Sequence, residues 1–285
     1  SSQLIVTLIT LTAGTIFLMW IGELISEKKV GNGISLIIFA GIIAGLPSII
    51  SRVAVTFERS ELFTIIGYLM IAVFAVISIV IMNEAQRNIP ITYARQSRGT
   101  QYLPSVANHL PLKVNMAGVI PIIFAISIML FPPMLAQFFR NAKTPLIAES
   151  ARYVEQLFAN QSFYAVVYFI LVFAFTYFYT SIVFQPEKVA ENLQKQGAFI
   201  PGIRPGKPTA DYVARVTNRI LLAGGLFLGA IAVLPYILTN VSGTVAIAIG
   251  GTSFLIVVSV IVETVKQIES QLATTEYDKY STLSN

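Results

Sequence analysis

Long charge-free apolar runs alternate with polar breaks along the whole chain. Leu4 to Gly22 is the first run, closed by Glu23, and Ile34 to Ser51 is the second, with Pro47 near its far end. Leu62 to Asn83, Val114 to Phe139 and Phe163 to Phe184 follow. A helix needs about 20 mostly apolar residues to cross about 30 Å of hydrocarbon, so each run predicts one span. Ile220 to Val262 carries no charge at all, and as one helix it would extend roughly 65 Å, twice the hydrocarbon thickness. It is expected to be two spans, turning at Thr239-Asn240-Val241-Ser242-Gly243 just after Pro235. The total is seven.

The breaks carry their own signals. Gly31-Asn32-Gly33 is expected to stop one helix and start the next, by supplying a positive-φ position and then an N-cap side chain. A short loop follows the second span, with Arg52 and Arg59 against Glu58 and Glu61. Glu84 to Lys113 is a long polar connection in which Arg87, Arg95, Arg98 and Lys113 sit among Tyr93, Tyr102 and His109, opposed only by Glu84. The span from Val114 is expected to be interrupted by Pro121, kinked, and stopped near Pro132-Pro133, because proline lacks the amide hydrogen a helix uses. Arg140 to Glu155 reads as a loop of mixed charge, and Tyr177-Phe178-Tyr179 as part of an interfacial aromatic belt. The longest break of the second half, Gln185 to Arg219, is also the most basic: Lys188, Lys195, Arg204, Lys207, Arg215 and Arg219 face only Glu187, Glu191 and Asp211. At its centre Pro201-Gly202-Ile203-Arg204-Pro205-Gly206 predicts a stiff turn that presents one arginine at a defined height. The tail, Glu263 to Asn285, is expected to be helical at first, by the spacing of Ile261, Val265, Ile268 and Leu272.

Composition sharpens the class. Hydrophobic residues make up 55% of the chain and charged residues 12%, about half the charged share of a soluble domain. This is an all-α polytopic membrane protein. The net charge of +5 is explained first by the positive-inside rule. Of the 19 Lys and Arg residues, 14 fall on the side that holds the two long breaks and the tail, against five on the other. The long loops and the C-terminus are therefore expected in the cytoplasm and the first residue outside. Cysteine is absent, which removes disulfide frameworks and thiol chemistry. The opening Ser1-Ser2-Gln3, with no initiator methionine and no basic leader, is expected to be the interior of a longer chain.

No predicted span carries Asp, Glu, Lys, Arg or His in its interior. Proton relays, ion-coupled carriers and voltage sensors use such groups, so a carrier is the second reading. It would be a small-solute secondary transporter with broken midplane helices, using Pro121, Pro235 and Gly250-Gly251-Thr252. Nothing points to an enzyme, a cofactor or a metal site: His109, the one histidine, lies in a loop without a paired carboxylate. Span polar groups such as Asn115, Ser127, Thr176, Thr252 and Ser253 are of the kind that tie helices together. The basic loops admit three readings, namely orientation, contact with anionic lipid, and docking of protein or RNA.

Several motifs then fall in one order. They are Gly31-Asn32-Gly33-Ile34-Ser35 leading to Ile38-Phe39-Ala40-Gly41 and Gly45-Leu46-Pro47, then Tyr93-Ala94-Arg95, Leu112-Lys113-Val114-Asn115-Met116-Ala117-Gly118-Val119-Ile120-Pro121-Ile122-Ile123-Phe124, Pro201-Gly202-Ile203-Arg204-Pro205-Gly206, and Gly250-Gly251-Thr252-Ser253. In these the chain resembles, from end to end, the bacterial SecY family of protein-conducting channels of the plasma membrane.

The resemblance implies that the seven spans are the fourth to tenth helices of a ten-helix, inverted-repeat clamshell channel. Residues 1–51 would close the N-terminal half, 52–61 would be the external hinge loop, 62–262 the C-terminal half with cytoplasmic loops 84–113 and 185–219, and 263–285 the cytoplasmic tail. By resemblance, Ile34, Ile38, Ile123 and Ile256 are pore-ring positions, and Asn115 and Pro121 belong to a lateral-gate helix. Arg95, Arg98, Arg204 and Lys207 are implied to dock the SecA motor or the ribosome. SecE, SecG, the translocating polypeptide and membrane lipids complete the implied partners. The implied activity is passage of unfolded secretory chains across the membrane and release of hydrophobic segments into it, without hydrolysis by the channel itself.

Overall fold

The computed structural model describes residues 2–28, 31–56, 62–93, 108–142, 144–242 and 251–283. They form nine helices and three short strands, grouped in two compact units. The first unit is Ser1–Val80 with Thr244–Asn285, and the second is Ile81–Gly243.

The first unit holds α1 (Ser2–Glu27), α2 (Gly33–Thr56), most of α3 (Leu62–Glu84) and α9 (Gly251–Leu283). Helix α1 is exposed from Gln3 to Trp20. Its threonines remain satisfied in that apolar surface because Thr7, Thr10, Thr12 and Thr15 donate to carbonyls of their own helix, which removes the cost of a bare hydroxyl in hydrocarbon. Asn32 caps α2 as expected, its Oδ1 accepting from the Ser35 amide at 3.2 Å. The glycines beside it do something else. Positive φ occurs at Gly118, Gly197, Gly202 and Gly206, and neither Gly31 nor Gly33 adopts it. Gly33 is required for space: a Cβ there would overlap the Gly22 carbonyl of α1.

The second unit contains the strands β1 (Gln86–Tyr93), β2 (Asn108–Lys113) and β3 (Ala198–Phe199), and the helices α4 (Ile120–Phe139), α5 (Pro145–Ala159), α6 (Gln161–Val183), α7 (Pro186–Lys195) and α8 (Lys207–Ser242). Helices α6 and α8 are its main pair. One face of α6 buries Ala165, Tyr168, Val172, Thr176 and Thr180. Glycines of α8 receive its rings, since a Cβ on Gly225 would stand 3.1 Å from Phe173 and one on Gly229 2.8 Å from Phe169. Small residues four apart let spans approach where no hydrophobic drive separates protein from lipid.

Several elements differ from what the sequence predicts. Helix α4 starts at Ile120, not Val114, and Pro121 lies in its first turn, where a missing amide costs nothing because that amide has no helical partner. Gly118, at φ 62°, turns the chain into it. Pro132 and Pro133 do not stop the helix, which runs on to Phe139; helix continuity is worth more where no water can serve freed carbonyls. The mixed-charge stretch after Arg140 is mostly α5, whose end meets α6 at Asn160, with Asn160 Oδ1 accepting from Ser162 and Phe163 amides. Helix α8 continues through Pro235 to Ser242, so the expected turn does not begin at Thr239, and residues 243–250 lie outside the described residues. Helix α2 extends to Thr56, so the first part of the expected hinge loop is helical. The tail stays helical to Leu283.

Among the described residues, five helices are long and apolar enough to cross a membrane. The apolar part of α2, Gly33–Ser48, is shorter, and α9 is not among the five.

Candidate functional site

The two polar breaks expected to be loops fold together into one platform. Strand β1 lies between β2 and β3, antiparallel to both, with Arg87 opposite Leu112, Ile89 opposite Leu110, and Tyr93 opposite Ala198. Pro90 and Pro111 fall on the same parity of the β1–β2 register. The other parity can therefore carry the ladder hydrogen bonds while both prolines turn their missing donors away from it. The outer edge of β2 is thereby blunted against strand addition.

Ile89, Ile91 and Leu112 from the strands, Leu193 from α7, Ala198 and Ile200 after it, and Val213 from α8 form a buried core. Ile203, Val216 and Phe184 pack against it. This core fixes the Arg204 turn. The Ile203 amide donates to Ile200 O at 3.0 Å, and the Thr209 amide and Ala210 amide to Gly206 O at 3.0 and 3.1 Å. The buried Thr209 hydroxyl donates to Arg204 O at 2.8 Å. Gly202 and Gly206 take φ of 81° and 95°, as the sequence of the turn predicts. Ile203 faces the core, while Arg204 and Lys207 are exposed on either side of Gly206.

Arg87, Lys113, Lys188, Lys195, Arg215 and Arg219, on the strands and helices of the same unit, are exposed as well. Part of the charge is matched locally. Lys195 Nζ sits 2.7 Å from Glu191 Oε1, and this hydrogen bond holds the Glu191 carboxyl below its ordinary range. Arg215 Nε donates to the Asp211 carbonyl. Arg95 and Arg98 lie outside the described residues.

Ile34, largely exposed, and Ile38, half-buried, stand one turn apart on α2; Ile256 on α9 is buried. Helices α2 and α9 pack on each other within the first unit. Ile123 belongs to the second unit, half-buried on α4. Asn115, in the lead to α4, donates through Nδ2 to Asn83 Oδ1 of α3 at 2.8 Å, and Pro121 is buried.

Sequence reasoning missed the platform's elements and the Asn83 partner. The strand signal was available, since Ile89, Ile91 and Tyr93 alternate. So was Pro186, a helix-start residue followed by Val189, Ala190 and Leu193 on one face.

Apolar helices of spanning length, joined by a folded basic platform, define a multi-pass α-helical membrane protein. The SecY family profile matches residues 2–265, and the chain belongs to that family. It is 44% identical over 277 residues to the protein translocase subunit SecY of Halalkalibacterium halodurans, covering 94% of this chain and 64% of that protein. It is 43% identical over 278 residues to the subunit of the same name from Vibrio cholerae, covering 96% and 62%. The chain thus spans somewhat less than two thirds of these relatives. Among solved structures, one described as a protein-conducting channel matches with a TM-score of 0.61 at 18% identity, over 90% of this chain and 63% of that one. Another, described by the role of the SecY plug domain in the closed state, matches with a TM-score of 0.59 at 18% identity, over 90% and 64%. These two show the fold alone.

Proposed function

We propose that this chain forms the larger part of a protein-conducting channel, which passes unfolded secretory polypeptides across the bacterial plasma membrane and releases hydrophobic segments sideways into lipid. The observation that carries this reading is the family match over residues 2–265, joined to relatives named as protein translocase subunits. The physical reading agrees. The predicted spans have no ionisable interior, which suits a pathway that moves chains without a bound counter-ion.

In this reading Ile34, Ile38, Ile123 and Ile256 contribute to an aliphatic ring. Such a ring offers water and ions no hydrogen-bond partner, so when narrow it dewets, and it yields sterically to a passing chain. Helix α4, with Asn115 at its approach and Pro121 in its first turn, serves as one wall of the lateral gate. Residues 52–61 act as the hinge between halves. The platform faces the cytoplasm and docks the SecA motor or the ribosome through Arg204 and Lys207, with Arg95 and Arg98 on the β1–β2 connection. SecE braces the channel from outside, and SecG is a further partner.

The test places a photo-crosslinkable residue at Ile38, Ile123 and Ile256 in turn, in the complete protein with a stalled secretory chain engaged. Crosslinks from all three to that chain, and none from exposed controls on α1 such as Leu8, are expected. Their absence despite normal engagement overturns the pore assignment.

A further inference from the structure

Helix α1 becomes buried at Gly22, where it meets the start of α2. A Cβ on Gly33 would overlap the Gly22 carbonyl oxygen, and a Cβ on Gly22 would stand 3.3 Å from Ile34 Cγ1. The two helix ends touch backbone to backbone. Ser26, one turn further along α1, donates its hydroxyl to Gly22 O at 3.0 Å and accepts from the Gly33 amide at 2.9 Å. That amide lies in the first turn of α2, where it has no helical partner. One hydroxyl therefore joins both sides of the contact. Beside it, a Cβ on Gly31 would stand 3.2 Å from Thr264 Oγ1 of α9, so the same corner also meets the helix that carries Ile256.

We infer that Gly22, Ser26 and Gly33 form a clasp that sets the height and rotation of α2, and so positions Ile34 and Ile38. The inference rests on the channel reading, in which those two isoleucines seal the pore. A one-residue slip at the joint turns α2 by about 100° and moves it about 1.5 Å along its axis. That carries both isoleucines off the ring. These three are positioning residues, acting through α2.

These 285 residues contain no cysteine, so once any cysteine elsewhere in the complete protein or its partner subunits is replaced by serine, a single cysteine is a clean reporter. Ile38→Cys is introduced into the complete protein, with its partner subunits, in membrane vesicles, and its rate of labelling by a water-soluble maleimide is measured. Ser26→Ala is expected to change that rate about fivefold, the population shift one lost hydrogen bond produces. Ser26→Thr keeps the hydroxyl, and Ser26 is exposed enough to accept the methyl, so it is expected to restore the rate. Resting ion leak, measured with Ile38 left in place, should rise and recover in parallel.

An unchanged rate in Ser26→Ala overturns the clasp, as does a change that Ser26→Thr fails to restore. Gly33→Ala is expected to prevent accumulation or to exceed the effect of Ser26→Ala; a Gly33→Ala protein labelled like its parent overturns the clasp as well. Labelling reads the pose of α2, and the crosslink from Ile38 to an engaged chain reads the pore. Unchanged labelling with intact crosslinks therefore removes the clasp alone, and the expected labelling pattern without crosslinks removes the channel reading alone.

Discussion

Arg204 shows what a single residue's surroundings make of it. Its carbonyl is held by the Thr209 hydroxyl, Ile203 beside it is anchored on the platform core, and its side chain is left free at the surface. A charge so mounted adds no side-chain contact to the platform core, and in the proposed reading it is available to a partner. Arg204→Glu is expected to impair motor-driven export while the amount of protein in the membrane stays at the parent level, and normal export in that variant removes the docking role. Gly206→Ala acts on the mounting. An L-residue at φ 95° pays about 1–2 kcal/mol for that backbone, so the same export assay should fall, this time with increased protease cleavage in the turn. The turn was legible because proline and glycine chemistry is local. Gly33 was misread for the complementary reason: its glycine answers to Gly22 on another helix, and nothing within Gly31-Asn32-Gly33 announces that neighbour.

Helices were legible as runs, and their ends were not. An apolar stretch declares that a span exists, yet Val114 and Ile120 are equally apolar. What separates them is Gly118 at positive φ and the register of Pro121 within the first turn. Pairing between helices was invisible for the same reason as the Gly22–Gly33 contact. The α6–α8 pair makes a graded prediction. A side chain on Gly229 must displace the Phe169 ring, 2.8 Å from where its Cβ would stand, and overpacking of that kind costs about 1–3 kcal/mol. Gly14 on α1 has nothing within 4 Å. Gly229→Val should therefore lower the unfolding temperature in detergent and Gly14→Ala should not, with helix content equal before heating. Equal tolerance at the two sites removes glycine-mediated packing as the reason α6 and α8 pair.

At the scale of the whole molecule, the open question left by the sequence was why one side carries so much positive charge. Orientation in the membrane needs only the number of Lys and Arg residues near the span ends. Docking needs them held in a fixed array, and the folded platform supplies one. These readings separate when the array is loosened at constant charge. Ile89 and Val213 are buried in the platform core, and cutting either to alanine leaves a cavity, at about 2–5 kcal/mol for the isoleucine and less for the smaller valine. Neither substitution alters a charge or touches a predicted span interior. Ile89→Ala and Val213→Ala are therefore expected to insert with unchanged topology, yet to lose affinity for the motor or the ribosome. Binding by the parent should also weaken steeply with added salt, because exposed charges are screened within about 10 Å at 0.1 M. Unchanged affinity in both alanine variants would return the basic residues to orientation alone, since a platform that can be loosened without consequence presents nothing a partner reads.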